Sequence, residues 1–398
     1  MIYSRYFRFI SALLSLLAYQ NCLASENGDW FKRFDWDAFA SQSVIYTNDY
    51  DFLSESDDNL SLDMWEAGVL FTTDVYQRLR FSAQLLGRKV SEYSDEDIRL
   101  DYAFFSYPFY QSGKSTLGLR LGRIRSSYGF YNETRDIPHT RTGIVMPQSV
   151  YFDQTRNSFY SADGIEFFGF HDFDDNRLSM QVFFSRPIAD KDEAQEAADL
   201  RPKNLKGDQS ILVKLGLGNE FEGWRAAVTY FRPEYDVDVS FAVPFPPFSV
   251  ADNEASFYSE SVVTSLEYNE FSWSVTLEYL RHKFQTHIPQ VGALGLGESR
   301  SDYYEEAYYV QGLYRMNEQW EGYLRYDSSQ LRGNNNQAFP GGYFDDINVG
   351  IAYRPDGHWL VRAEFHYIEG LARLLDRDNA LTSDRYWTAA MFQVAYRW

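Results

Sequence analysis

From Phe34 to Trp398 apolar and polar side chains alternate in short segments. Each is about ten residues long, the length a tilted strand needs to cross a bilayer. Leu79–Arg88 shows the pattern, with Leu79, Phe81, Ala83 and Leu85 on one face and Arg80, Ser82, Gln84 and Arg88 on the other. The segments are 34–47, 62–76, 79–88, 98–106, 117–125, 161–170, 177–185, 210–218, 223–231, 259–268, 271–280, 304–315, 319–328, 344–354, 358–369 and 385–398. In Ile98–Ser106 strict alternation puts Ile98, Leu100, Tyr102 and Phe104 outward, and Arg99, Asp101 and Ala103 inward. The pattern predicts about sixteen antiparallel strands, an even number.

The connections alternate too. Short turns at 77–78, 108–113, 172–176, 219–222, 269–270, 317–318 and 355–357 are interleaved with long polar loops at 48–60, 89–97, 126–159, 186–208, 233–258, 282–302, 331–342 and 370–384. A soluble sandwich has no reason for such strict short–long alternation. A transmembrane antiparallel up-and-down β-barrel does, with short periplasmic turns, long external loops and both ends on one side. The predicted fold is therefore all-β. The third external loop is aperiodic and rich in aromatics, arginines and prolines. Long loops of that kind are usually functional, and it is expected to fold into the lumen and narrow it.

Composition agrees. Mean hydropathy is −0.45, yet 18% of residues are aromatic. Strands that give only half their residues to lipid, flanked by aromatic girdles, produce that combination. Met1–Ala24 reads as a signal peptide: arginines first, an apolar run from Phe9 to Tyr19, then small residues at the cleavage site. Residues 25–398 then form a single barrel domain with no cysteine, since Cys22 is the only one. The chain carries a net charge of −20, and losing Arg5 and Arg8 with the signal leaves −22. That balance shows no nucleic-acid footprint.

A barrel of about sixteen strands is too wide for its side chains to fill, so an enclosed water column is expected. The charges Asp35, Asp37, Glu66, Arg80, Arg99, Asp101, Arg225, Glu278, Arg325, Asp346, Arg362 and Glu364 belong there, because a charge facing mid-bilayer lipid costs roughly 2–4 kcal/mol. Arg80, Arg99 and Arg120 come from consecutive strands, and Arg123 joins them if a bulge at Gly122 swaps its face. Glu133 and Asp136 of the loop are placed opposite, a charged constriction that sorts solutes. Arg135 and Arg141, with Arg156, would favour anions. The plainer reading is that these charges pair and only pin the loop. Neither a catalytic site nor a metal or cofactor site is expected. The six histidines lack recognisable catalytic neighbours, and His282 and His287 are badly spaced for a metal on a strand.

The chain resembles Gram-negative outer-membrane porins over all of its mature length. The long third loop, the entry L-G-R-I-R-S-S-Y-G at Leu121–Gly129 and the aromatic terminus V-A-Y-R-W carry the resemblance. It implies an outer-membrane channel for passive diffusion of small hydrophilic solutes or ions. The implied partners are membrane lipids and lipopolysaccharide, the barrel-assembly machinery at the C-terminal strand, and two further copies in a homotrimer. The chain ends in Trp rather than the commoner Phe and lacks the acidic P-E-F-G-G-like loop tip, which leaves ion preference open. A substrate-specific porin and a surface receptor are the alternatives; a hydrolase is the most distant.

Overall fold

The computed structural model describes residues 34–90, 98–153, 156, 160–189, 202–219, 221–242, 250–288, 298–333, 338–374 and 384–398. The proposed signal peptide lies outside them. Sixteen strands close into one antiparallel barrel in which each pairs with its chain neighbours and the last pairs with the first. They are β1 Phe34–Thr47, β2 Trp65–Tyr76, β3 Leu79–Lys89, β4 Arg99–Gln111, β5 Ser115–Arg125, β6 Ser161–Phe173, β7 Asn176–Pro187 and β8 Pro202–Gly218. The second half is β9 Gly223–Ala242, β10 Val250–Asn269, β11 Trp273–Ile288, β12 Ser299–Arg315, β13 Trp320–Arg332, β14 Ala338–Tyr353, β15 Trp359–Glu369 and β16 Tyr386–Arg397.

Closure leaves no edge of unpaired N–H and C=O groups, the condition for a sheet in lipid. Along each strand the outer face is exposed and apolar: Leu121, Ile165, Val349 and Phe392 are all at least 43% exposed. Aromatic rings collect near both ends of that face. Trp224, Tyr268 and Trp273 cluster at the short-turn end, as do Trp359, Tyr396 and Trp398. Tyr308 with Tyr326 and Tyr367 with Tyr386 lie toward the opposite end. From Trp320 to Tyr326 on β13 is roughly 20 Å along the strand.

Three expectations need correction. In β4 the partner register shifts between Gln84 and Leu85, so Tyr102 pairs with Gln84 and Phe104 with Ser82. An extra residue reverses the face. Tyr102 and Phe104 therefore point inward, under the guanidiniums of Arg125 and Arg120, while Asp101 is also buried inside. Next, much of the predicted fourth, fifth and sixth external loops is strand: β8 begins at Pro202, β9 continues to Ala242 and β10 begins at Val250. Tyr235 and Val237 alternate with Asp236 and Asp238, so β9 keeps the same period past the predicted strand.

The third correction concerns the interior, which is not an open column of water. Every strand contributes a fully buried inward side chain, from Ser43 in β1 through Thr229 in β9 to Gln393 in β16. Two apolar clusters take up part of the space that water was expected to occupy. One packs Tyr128, Met146, Val150, Tyr151 and Tyr160 of the third loop on Phe183, Leu212, Phe231, Val263 and Tyr309 of the wall. The other joins Ile144 and Val145 of that loop to Tyr50, Phe52 and Leu53 of the first loop and to Phe344, Ile368 and Trp387.

Candidate functional site

The third loop, residues 126–160, leaves β5 at the external mouth and crosses the barrel. Two short 3-10 turns, Asn132–Thr134 and Pro138–Thr140, give it shape. Pro138 presets the backbone of the second. The loop reaches deep: His139 Nε2 lies 3.0 Å from the carbonyl of His358, beside the short-turn end of β15.

On the far wall the loop is held mainly through its backbone. Glu278 of β11 accepts from Phe130 N at 2.9 Å and from the Tyr151 hydroxyl at 2.5 Å. Asp327 of β13 accepts from Gln148 N at 2.7 Å and Ser149 N at 3.2 Å, and Glu364 of β15 from Ile144 N. Arg325 donates to Val145 O at 3.2 Å, and Arg362 donates to Gly143 O at 3.1 Å and to Arg141 O. An irregular loop leaves these backbone groups without ladder partners, so inward charges on β11, β13 and β15 substitute for water.

On the near wall the contacts are between charges. Arg125 contacts Asp101 and lies 2.7 Å from Asp136; Arg156 lies 2.8 Å from Asp101 and donates to Asp136 at 2.7 Å. Arg88 lies 3.0 Å from Asp153, which also receives Arg135 at 3.1 Å. Arg141 bonds both oxygens of Glu66, at 3.1 and 2.5 Å. Burial alone would push the Asp136 carboxyl up, but the Arg156 and Arg125 guanidiniums outweigh it and hold it well below the usual carboxylate range. Asp153 is lowered in the same way: burial opposes the shift, and Arg88 and Arg135 prevail.

The candidate constriction residues are thus dispersed. Arg135, Asp136 and Arg141 are buried in ion pairs, and Asp136 is in direct contact with Arg125 of the wall and Arg156 of the loop, with no water gap between them. Arg99 is inward and largely buried, near Asp101. Arg80 sits toward the short-turn mouth, paired with Asp74 at 2.8 Å and well exposed. Arg123 is on the outer face: the register through Gly122 is continuous, Arg123 opposes Asp163, and the two pair at 2.9 Å. Arg120 and Glu133 do meet in accessible space, 3.9 Å apart, with Glu166 beneath at 2.7 Å from Arg120. Sequence reasoning missed the wall carboxylates Asp327 and Glu267, which anchor the loop, Glu267 by accepting from the Tyr131 hydroxyl at 2.5 Å. Their signal was weak, since an inward acid on a strand looks the same whether it faces water or a loop.

No protein-family model matches the sequence, and no curated protein matches it. Solved structures do. OmpT of Vibrio cholerae superposes with a TM-score of 0.56 at 12% identity, covering 92% of this chain and 97% of that one. This is a porin-like barrel. The anion-selective porin from Comamonas acidovorans gives 0.55 at 11% identity, over 92% of this chain and 99% of that one. The outer-membrane channel DcaP of Acinetobacter baumannii gives 0.55 at 12%, over 91% and 97%. At such identities the likeness extends to the fold, and the porin-like barrel described here keeps its own loop chemistry.

Proposed function

We propose that the protein is an outer-membrane channel of the porin type, exported by its N-terminal signal, in which the third loop is the gate. The observation that carries this is the way the loop is attached. It fills a barrel wide enough to hold water, yet it is held by backbone hydrogen bonds and ion pairs, which exchange with water when the loop moves. A covalent or fully apolar plug would not be releasable on those terms. A passive diffusion pathway opens when the far-wall bonds of Glu278, Asp327 and Glu364 let go. The charged constriction expected from the sequence is here a pinning network, and filtering falls to the accessible pair Arg120 and Glu133.

Two of the similar structures support the same reading by analogy, since one is an anion-selective porin and another an outer-membrane channel. A trimer form is recorded for the Vibrio cholerae protein, and a homotrimer is proposed here on that likeness. Catalysis is not part of the proposal. Ser115 Oγ does lie 2.7 Å from His171 Nδ1, but among the described residues no carboxylate bonds that imidazole to orient it. The tall β8–β12 side favours a second, compatible role in surface recognition, because strands of 16 to 20 residues on that side outrun the bilayer.

Purified protein in liposomes should make them permeable to small hydrophilic solutes, read as osmotic swelling. Removing far-wall anchors, as in the double variant Glu278→Ala and Asp327→Ala, should speed swelling several-fold. Liposomes as tight as protein-free ones would overturn the channel reading.

A further inference from the structure

Below the loop, the wall from β5 to β9 differs from the rest of the interior. Its cations stay in contact with water while their carboxylates lie underneath. Arg120 is 25% exposed over a Glu166 that is 0% exposed, and Arg225 is 21% exposed over Glu267 at 8%. Lys214 joins them from β8, and among the described residues its ammonium has a single partner, the Gly129 carbonyl at 2.7 Å. All three surround one stretch of loop. Lys214 bonds Gly129, Arg225 stacks 4.3 Å from the Phe130 ring, and Arg120 stands 3.9 Å from Glu133. Arg120 also rests on Phe168, 5.0 Å from its centroid.

A solute on this side therefore meets positive charge set beside aromatic faces, with Glu166 and Glu267 buried beneath it. Charge alone would suit any anion, but the rings add an apolar surface that a hydrated inorganic ion cannot use. We infer that this wall is a binding site for small organic carboxylates bearing a ring or other flat apolar body. The carboxylate pairs with this row of cations, and the body lies against the rings set among them, Phe168 beside Arg120 and Phe130 beside Arg225. The inference rests on the channel reading, in which the site is the periplasm-side station of the passage. Among the described residues Glu133, 38% exposed, is the accessible carboxylate paired with Arg120, and it weakens the site.

The test is isothermal titration calorimetry on the intact detergent-solubilised protein with benzoate, inorganic phosphate and benzylammonium. Benzoate should bind saturably and at least fivefold more tightly than either of the others. Arg120→Ala and Lys214→Gln should each lower benzoate affinity at least fivefold. Glu133→Gln should raise it roughly fivefold, the order expected for removing one charge at about 4 Å in a well-hydrated site. Lys214→Gln gives up only one bond to a carbonyl, so it keeps the test decisive if Arg120→Ala fails to fold. Benzoate binding that ignores Lys214→Gln, or phosphate or benzylammonium binding as tightly as benzoate, overturns the inference. Because calorimetry needs no transport, a protein that binds benzoate but never conducts would uphold the site and remove the channel reading; one that conducts without binding would do the reverse.

Discussion

Glu278 shows most directly how single side chains decide the state of this barrel. Its carboxylate is buried and accepts bonds from Phe130 N and from the hydroxyls of Tyr151, Ser265 and Tyr309. Replacing it by alanine leaves several buried donors without an acceptor, at about 1–3 kcal/mol each. Part of that loss is recovered when the loop swings into water, so Glu278→Ala should raise the open fraction at least tenfold in single-channel recordings while the barrel itself stays folded. On the near wall the responsible group is Asp136. Its carboxyl is held below the ordinary value, so its contribution is fully present above about pH 4, the usual aspartate range, and fades as pH falls through the lowered value. The share of gating that Asp136→Asn removes should therefore be constant from pH 7 to pH 5 and shrink only in stronger acid, checked by recording open fraction against pH for both proteins. An Asp136-dependent transition centred near neutral pH, absent from Asp136→Asn, would contradict that assignment.

At the scale of elements, the strands were legible and the loop was only half so. Period-two alternation located all sixteen strands, and β1 and β6 start at the expected residues, because lipid on one side imposes a rule every strand must obey. Where the rule fails there is a local cause. The β4 bulge turns Tyr102 and Phe104 inward, and no residue in that segment announces it. Gly122 did announce something, though not a swap of face. Its φ is +134°, and a Cβ there would sit 2.3 Å from the Ala103 carbonyl oxygen, so the glycine permits a close approach of β4 and β5 in unbroken register. Gly122→Ala should lower the thermal unfolding temperature of the barrel, measured by heat-modified gel mobility, since both strain and a backbone clash are introduced, at about 1–3 kcal/mol for the strain alone. An unchanged transition would mean β4 and β5 are not that tightly paired. The loop's destination was legible from its length and aromatics. Its anchors were not, because alternation says that a residue points inward and is silent on what it meets there.

Over the whole molecule, outside and inside obey different constraints. The outside is a girdled apolar band that any barrel in a bilayer must present. The inside is specific to this chain: two apolar clusters and a pinning network between the third loop and the walls replace the water column that width alone predicts. That combination separates two questions the sequence joined, whether the barrel is hollow and whether it is open. Single-channel recording in planar bilayers, comparing the intact protein with a variant lacking Glu133–Thr142, tests the answer most directly. The intact protein should stay mostly closed, with brief openings approaching the step size of the variant, while the variant should conduct steadily. An intact protein that is continuously open at the variant's conductance would show that the loop does not close the barrel.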